Sequence, residues 1–95
     1  MNEVLNFGEA IRALKHGERV ARLGWNGKGM YLYFVEGSEV TQARNNAMDE
    51  IIQKNGKAII SPHIDMKCAD DTFSIGWRPT NVDMFTDDWV IVPDC

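Results

Sequence analysis

The stretch of residues 61–89 constrains the fold most strongly, because it contains two runs in which apolar and polar residues alternate. In the first run the apolar positions are Ile64, Met66 and Cys68, and the polar positions are His63, Asp65 and Lys67. The second run places apolar Phe73, Ile75 and Trp77 opposite Thr72, Ser74 and Gly76. Side chains alternate between the two faces of a strand, so each run predicts a strand with one buried face. Asp70 and Asp71 between them favour a turn, and the stretch predicts an antiparallel hairpin.

Helices are predicted at three places. Asn6 with Glu9, and Thr80 with Asp83, have the spacing of a capping box, which marks the start of a helix. The third place is residues 42–54, which carry apolar residues at roughly helical spacing. The predicted helices span residues 7–16, 42–54 and 81–86.

The remaining apolar runs predict strands. The run MYLYFV at residues 30–35 is almost continuously apolar, which favours a central strand buried on both faces. The other predicted strands cover residues 18–23, 58–60 and 89–92, and Trp89 is expected in the core. We therefore predict a single α+β domain over residues 1–95, with a small antiparallel sheet or sandwich, an N-terminal helix and one or two further short helices.

Composition and charge exclude several classes of partner. The chain has 95 residues and a formal net charge of −4, whereas a surface for DNA or RNA polymers needs a basic excess. No apolar run approaches the ~20 residues that span a bilayer, and the N-terminus MNEVLNFGEA lacks the features of a signal peptide. The two cysteines, Cys68 and Cys95, suit neither a disulfide scaffold nor a metal site. We therefore expect a cytoplasmic protein that does not act at a membrane.

A glycine-rich turn with the sequence GWNGKG, at residues 24–29, is the first candidate binding element. Asn26-Gly27 is a favoured pair for a tight turn, and glycine amides beside Lys28 are the elements of an anion-binding loop. The spacing is not that of a nucleotide-binding P-loop. Trp25 either folds back on the core as a lid or offers its face to a ligand. The turn therefore suits a nucleotide, or it is a plain hairpin turn with solvated charges.

The second candidate binding element follows the predicted hairpin. Arg78 can pair with phosphate oxygens, and the helix start at Thr80 offers amides without a partner inside the helix. Trp77 either packs in the core or stacks on a base. Together these residues suit the phosphate and the base of a small anionic ligand.

Residues capable of catalysis are present without a recognisable catalytic spacing. His63 and Asp65 lie on one face of a predicted strand, yet a metal site needs three or four ligands and no spacing supplies the others. Ser61, Ser74 and Cys68 do not lie on a nucleophile elbow. We therefore expect no catalytic residue, no metal and no cofactor. The alternatives are a hydrolase or lyase that uses His63 and Asp65, and an inhibitor that binds a protein.

Several blocks of the chain, taken in order, resemble a known family. They are N-F-G-E-A, G-W-N-G-K-G-M, P-H-I-D-M-K, G-W, D-M and D-D-W. In this order they resemble the Thoeris anti-defence proteins of the second type, which are small phage and prophage proteins first catalogued as a domain of unknown function. The resemblance covers about residues 5–92. Its two longest blocks are the most specific part of it.

The resemblance implies a sponge for an immune signal. Proteins of this family bind the cyclic ADP-ribose isomer that a TIR-domain defence enzyme makes in the infected bacterium, and they sequester it without degrading it. The resemblance further implies a homotetramer in the host cytoplasm, with ligand held between subunits. Some members hold cyclic oligonucleotides at additional sites.

Ten residues are expected to contact this ligand: Trp25, Asn26, Gly27, Lys28, Asp65, Trp77, Arg78, Thr80, Asn81 and Asp83. By residue type, Trp25 suits stacking on the base and Arg78 suits pairing with phosphate. The turn at residues 26–28 suits phosphate or ribose. The helix start at residues 80–83 suits ribose or base edges, and Asp65 could bond the ligand across a subunit interface.

Overall fold

Three helices and seven strands are present in the computed structural model, which describes residues 3–25 and 28–93. The helices are α1 (Phe7–Lys15), α2 (Asn46–Asn55) and α3 (Asn81–Phe85). The strands are β1 (Arg19–Arg22), β2 (Tyr31–Val35), β3 (Ser38–Val40), β4 (Ala58–Ile60), β5 (His63–Lys67), β6 (Phe73–Ser74) and β7 (Trp89–Val92). The predicted α+β class is confirmed. In the described part of the chain, no helix is long and apolar enough to cross a membrane.

Five strands form one antiparallel sheet in the order β6-β5-β2-β1-β7. β2 is its middle strand, as predicted, and Leu32 lies between Val20 of β1 and Met66 of β5. The prediction that β2 is buried on both faces is wrong, because Leu32 is the one fully buried residue of this strand. The physical reason is that α1, which packs on β1, β2 and β7, covers one face of the sheet.

The predicted hairpin of β5 and β6 is present, with Asp70 and Asp71 in its turn. Asp71 adopts a left-handed backbone conformation there, with φ of 66°, which Asp tolerates better than most residues. The prediction that the apolar side of the second run is buried is wrong for Phe73 and Ile75, whose exposed fractions are 57% and 70%. Phe73 instead packs edge-on against Tyr33, at 6.3 Å between ring centroids.

The second strand of this hairpin is short because the chain leaves the ladder after Ser74. Gly76 has φ of 78°, a conformation that glycine adopts without strain. Its N–H donates to the Asp65 carboxylate at 2.9 Å, and the Trp77 N–H donates to the Ile64 carbonyl at 2.7 Å. This bend carries Trp77 back over β5, where it packs against the core.

The core lies between α1 and one face of the sheet. Its buried members are Ala10, Ala13, Leu14, Val20, Leu32 and Trp89. The predicted capping box opens α1, since the Asn6 side chain accepts the Glu9 N–H at 2.8 Å and the Glu9 carboxylate accepts the Asn6 N–H at 2.9 Å. Burying a Leu or Val side chain contributes about 1.5–3 kcal/mol, so these contacts fix α1 on the sheet.

Residues 38–60, here called the arm, connect β2 to β5. Within the arm β3 pairs with β4, and α2 packs on β4. The predicted helix over 42–54 is confirmed in type, but it begins at Asn46 because Asn45 caps it, accepting the Met48 N–H at 2.9 Å. α2 has no fully buried residue among those described. The molecule as a whole is elongated, with extents of 52 × 29 × 26 Å.

Candidate functional site

Three tryptophans meet at one end of the core. Trp89 is fully buried, as predicted, while Trp25 and Trp77 are half-buried. Their rings meet edge to face, with centroids 5.5 Å apart for Trp25–Trp89, 6.2 Å for Trp77–Trp89 and 6.4 Å for Trp25–Trp77. Aromatic pairs favour such geometry. Trp25 and Trp77 thus pack on the core, and both stay partly exposed. That either ring contacts a ligand stays a prediction.

An ion-pair cluster of Arg22, Asp83 and Asp88, here called the Arg22 cluster, connects the turn at residues 22–25, here called the Trp25 turn, with α3. Arg22 Nη1 donates to Asp83 Oδ1 at 2.8 Å, and Arg22 Nε donates to Asp88 Oδ1 at 2.9 Å. Their side chains are 13%, 8% and 27% exposed, respectively. An ion pair at this depth offsets the cost of removing its charges from water only when further hydrogen bonds satisfy the carboxylates.

Further hydrogen bonds do satisfy both carboxylates. Asp88 Oδ2 accepts the Gly24 N–H at 2.9 Å, which anchors the backbone beside Trp25. Asp83 Oδ2 accepts the Thr80 N–H at 2.9 Å, and this bond completes the predicted capping box of α3. The backbone carbonyl of Asp83 also accepts the Trp89 indole N–H at 2.9 Å. The cluster therefore fixes the Trp25 turn, the start of α3 and the core tryptophan together.

The charges in this cluster favour one another. The hydrogen bond from Arg22 is the main cause that lowers the pKa of Asp88. For Asp83, burial is the largest single effect and raises the pKa, but hydrogen bonds from Thr80 and Arg22 outweigh it, so the pKa lies below its usual value. The bond to Asp88 likewise raises the pKa of Arg22. The cluster is therefore fully ionised at neutral pH.

A groove of about 420 Å³, here called the α1–β5 groove, lies beside this cluster of rings. Its lining residues are Ile11, Leu14, Lys15, Phe34, Pro62, His63, Ile64, Gly76, Trp77 and Arg78. Ligand sites commonly have an apolar lining with a few polar groups, and volumes of about 300–1,000 Å³. Lys15 and Arg78 are exposed cations at this groove. Its chemistry suits an anionic ligand with a flat apolar part.

His63 and Asp65 do meet at the edge of this groove. His63 Nε2 lies 3.3 Å from Asp65 Oδ1, and His63 Nδ1 lies 2.8 Å from the Ser61 carbonyl oxygen. Asp65 is 5% exposed, and the same oxygen accepts the Gly76 N–H. Both ring nitrogens of His63 thus face protein oxygens. The pair holds the groove wall in place through the bend at Gly76.

The ten predicted contacts occupy different environments. Trp77 and Arg78 line the groove; Trp25 touches Trp77. Lys28, Thr80 and Asn81 are exposed, whereas Asp65 and Asp83 are buried and bonded within the protein. Asn26 and Gly27 lie outside the described residues.

Sequence reasoning missed Arg22, Asp88 and the groove residues on α1. Arg22 interrupts the apolar pattern of β1, and a charge at an inward position of a strand is the signal that could have found it. Asp88 follows Asp87 directly before β7, and acidic residues are common in the turn before a strand. Lys15 was missed because a cation in the last turn of a helix is already explained by its interaction with the helix dipole, so its position gave no sign of a groove.

Metal ligands are not grouped in the described ranges 3–25 and 28–93. No set of three or more His, Cys, Asp or Glu side chains there is placed to hold a metal ion.

Comparison with known proteins identifies the family of this chain. A family model described as a Thoeris anti-defense 2-like domain matches residues 5–92. A curated protein named Thoeris anti-defense 2, from Bacillus phage SP01, is 33% identical over 92 residues, which cover 97% of this chain and 99% of that protein. The chain belongs to the Thoeris anti-defense 2-like family.

Proposed function

We propose that this protein counters Thoeris anti-phage defence by binding and sequestering a cyclic ADP-ribose-type nucleotide. The observation that carries the proposal is the groove of about 420 Å³ in which Trp77 and Arg78 meet, with Trp25 in contact with Trp77. An aromatic ring suits the base, and a guanidinium suits the phosphates. The family and the named relative support the same direction.

Binding without cleavage is the form of the proposal that the groove chemistry supports. Both nitrogens of His63 face protein oxygens, so neither is aimed at a groove ligand as a general base must be. Asp65 is buried and bonded to the Gly76 N–H. A sponge needs affinity and slow release, which a preorganised groove supplies.

The assembly belongs to the same proposal. We infer a homotetramer in the bacterial cytoplasm, with ligand held between subunits and with cyclic oligonucleotides as further ligands. The exposure of Arg78 at the groove supports this, since an exposed cation is available to a ligand shared with a neighbouring subunit.

Calorimetry with a panel of cyclic ADP-ribose isomers and cyclic dinucleotides tests the proposal. We expect heat of binding from at least one cyclic ADP-ribose isomer, and a loss of that heat in Arg78→Ala. Arg12→Ala is the matched control, because Arg12 is an exposed arginine of α1 that does not line the groove. Absence of heat from every nucleotide would overturn the proposal and favour an inhibitor that binds a protein.

A further inference from the structure

We propose that Arg22 is the positioning residue of the nucleotide site, holding the Trp25 turn and the start of α3 in the arrangement that binds ligand. The inference rests on the proposed function and adds a residue to it. Arg22 is 13% exposed and does not line the groove. It acts through Asp83 and Asp88, and not by touching ligand.

The two segments that Arg22 connects are distant in sequence. Its bonds to Asp83 and Asp88 span 61 and 66 residues. One end of the connection is Gly24, the residue immediately before Trp25, whose N–H donates to Asp88. The other end is the Thr80 N–H, which donates to Asp83 where α3 begins. A shift of the guanidinium would therefore move both segments relative to each other.

A guanidinium is needed for this geometry. Arg22 uses Nε toward Asp88 and Nη1 toward Asp83, so two carboxylates are held by one planar group. A lysine has a single ammonium on a flexible stem and cannot reproduce two fixed directions. Lysine keeps the positive charge, however, which leaves both carboxylates near a cation. Arg22→Lys thus separates the geometry from the charge.

The space around Gly24 shows how closely the parts fit. A Cβ added at Gly24 would lie 2.8 Å from Asp88 Oδ2 and 3.1 Å from Arg22 Nη2. Trp25 continues from this point and contacts Trp77 and Trp89 with its ring. Because the backbone at Gly24 packs against Asp88 and Arg22, and the Trp25 ring packs against two other rings, the position of the Trp25 ring depends on the Arg22 cluster.

Preorganisation gives the expected size of the effect. If only a fraction of molecules holds the binding arrangement, the apparent Kd rises by the inverse of that fraction. Coupling between linked sites of this kind typically changes affinity about 5- to 150-fold. We therefore expect Arg22→Lys to weaken binding about tenfold or more, mostly through slower apparent association, because fewer free molecules hold the binding arrangement.

The experiment compares wild type, Arg22→Lys and Val90→Ala by calorimetry and stopped-flow fluorescence with the cyclic ADP-ribose isomer that the wild type binds. Val90 is buried in β7 outside the groove, so Val90→Ala is a control for lost stability alone. All variants are measured well below their melting temperatures. We expect Val90→Ala to melt earlier and bind normally, and Arg22→Lys to bind weakly with a slower apparent association rate.

The outcomes separate the two claims. If the wild type binds no isomer, the proposed function fails and takes this inference with it. If the wild type binds and a folded Arg22→Lys binds equally well, Arg22 is structural only and the inference alone is overturned. Should Arg22→Lys not fold, Asp88→Asn replaces it, since it leaves the Arg22–Asp83 bond and weakens the anchor at Gly24. Normal binding by folded Asp88→Asn would then overturn the inference.

Discussion

At the scale of single residues, the molecule places its unusual side chains where they serve two purposes. Trp25 and Trp77 each pack on Trp89 while part of each ring stays exposed. The Asp83 carboxylate caps α3 with one oxygen, which accepts the Thr80 N–H, and pairs with Arg22 through the other oxygen. A substitution at any of these positions therefore changes both stability and the candidate site, and experiments need a control for each.

Trp25→Ala is expected to weaken nucleotide binding and leave the protein folded. Base–aromatic stacking contributes about 1–3 kcal/mol, so the affinity should fall by roughly one to two orders of magnitude. The melting temperature should fall as well, because the ring packs on Trp89. Circular dichroism and calorimetry measure the two effects separately. An unfolded Trp25→Ala would mean that Trp25 is a core residue and that the assignment of the site is wrong.

Gly24→Ala should destabilise the protein although a methyl group is a small change. Its Cβ would lie 2.8 Å from Asp88 Oδ2, an oxygen held by the Arg22 cluster. Overpacking of this kind costs about 1–3 kcal/mol. Gly8→Ala is the matched control, because Gly8 lies inside α1 and alanine favours a helix by about 1 kcal/mol. Chemical denaturation compares the two variants, and equal stability of Gly24→Ala and wild type would contradict this account.

At the scale of elements, local signals predicted structure well and remote contacts escaped prediction. The caps of α1 and α3 depend on residues three apart, so Asn6 with Glu9 and Thr80 with Asp83 could be found from sequence. In the Arg22 cluster, Asp83 and Asp88 lie 61 and 66 positions from Arg22 in the sequence, and no short-range pattern encodes such contacts.

Alternation in β6 misled the prediction for a different reason. A period of two identifies two faces of a strand and does not say which of them a helix covers. Phe73 is exposed because it aligns with Lys67 and Tyr31, on the face of the sheet opposite to the buried Leu32. Ile75 is exposed because the chain has left the sheet after Ser74. The groove was likewise missed, because it forms only when α1 packs beside β5.

The start of α3 should loosen in acid. The pKa values of Asp83 and Asp88 are lowered in the folded state, so their contribution to stability is complete above the unfolded value of about 3.9. It is lost as pH falls below that value through the folded pKa. We expect the free energy of unfolding to drop steeply below about pH 4. Asp88→Asn should flatten this drop, and urea titrations at several pH values measure it; an equally steep drop in Asp88→Asn would contradict the assignment.

At the scale of the whole molecule, a packed body is separated from an arm. The body holds the core, the tryptophans and the groove, while the arm is made of β3, α2 and β4. Val35 of β2 pairs with His63 of β5, so the two strands that flank the arm are already neighbours. The arm is therefore not needed to hold β2 and β5 side by side, and its exposed surface is available for contacts with another subunit.

Replacing residues 36–62 with an Asn-Gly turn should leave the body folded. Such a pair favours the tight turn of a two-residue hairpin, and the Val35–His63 register provides the position for it. We expect tryptophan fluorescence like that of wild type. If the arm contributes to the proposed tetramer, light scattering should show a smaller assembly. An unfolded deletion variant would contradict the independence of the body.

One measurement tests the central claim most directly. The protein is incubated in excess with the cyclic ADP-ribose isomer that it binds, the free nucleotide is removed by filtration, and the protein is then heated to release what it holds. The account predicts that the filtrate is depleted and that the heated sample returns the intact cyclic nucleotide in full. Recovery of a cleaved product would contradict the account and show that the protein is an enzyme.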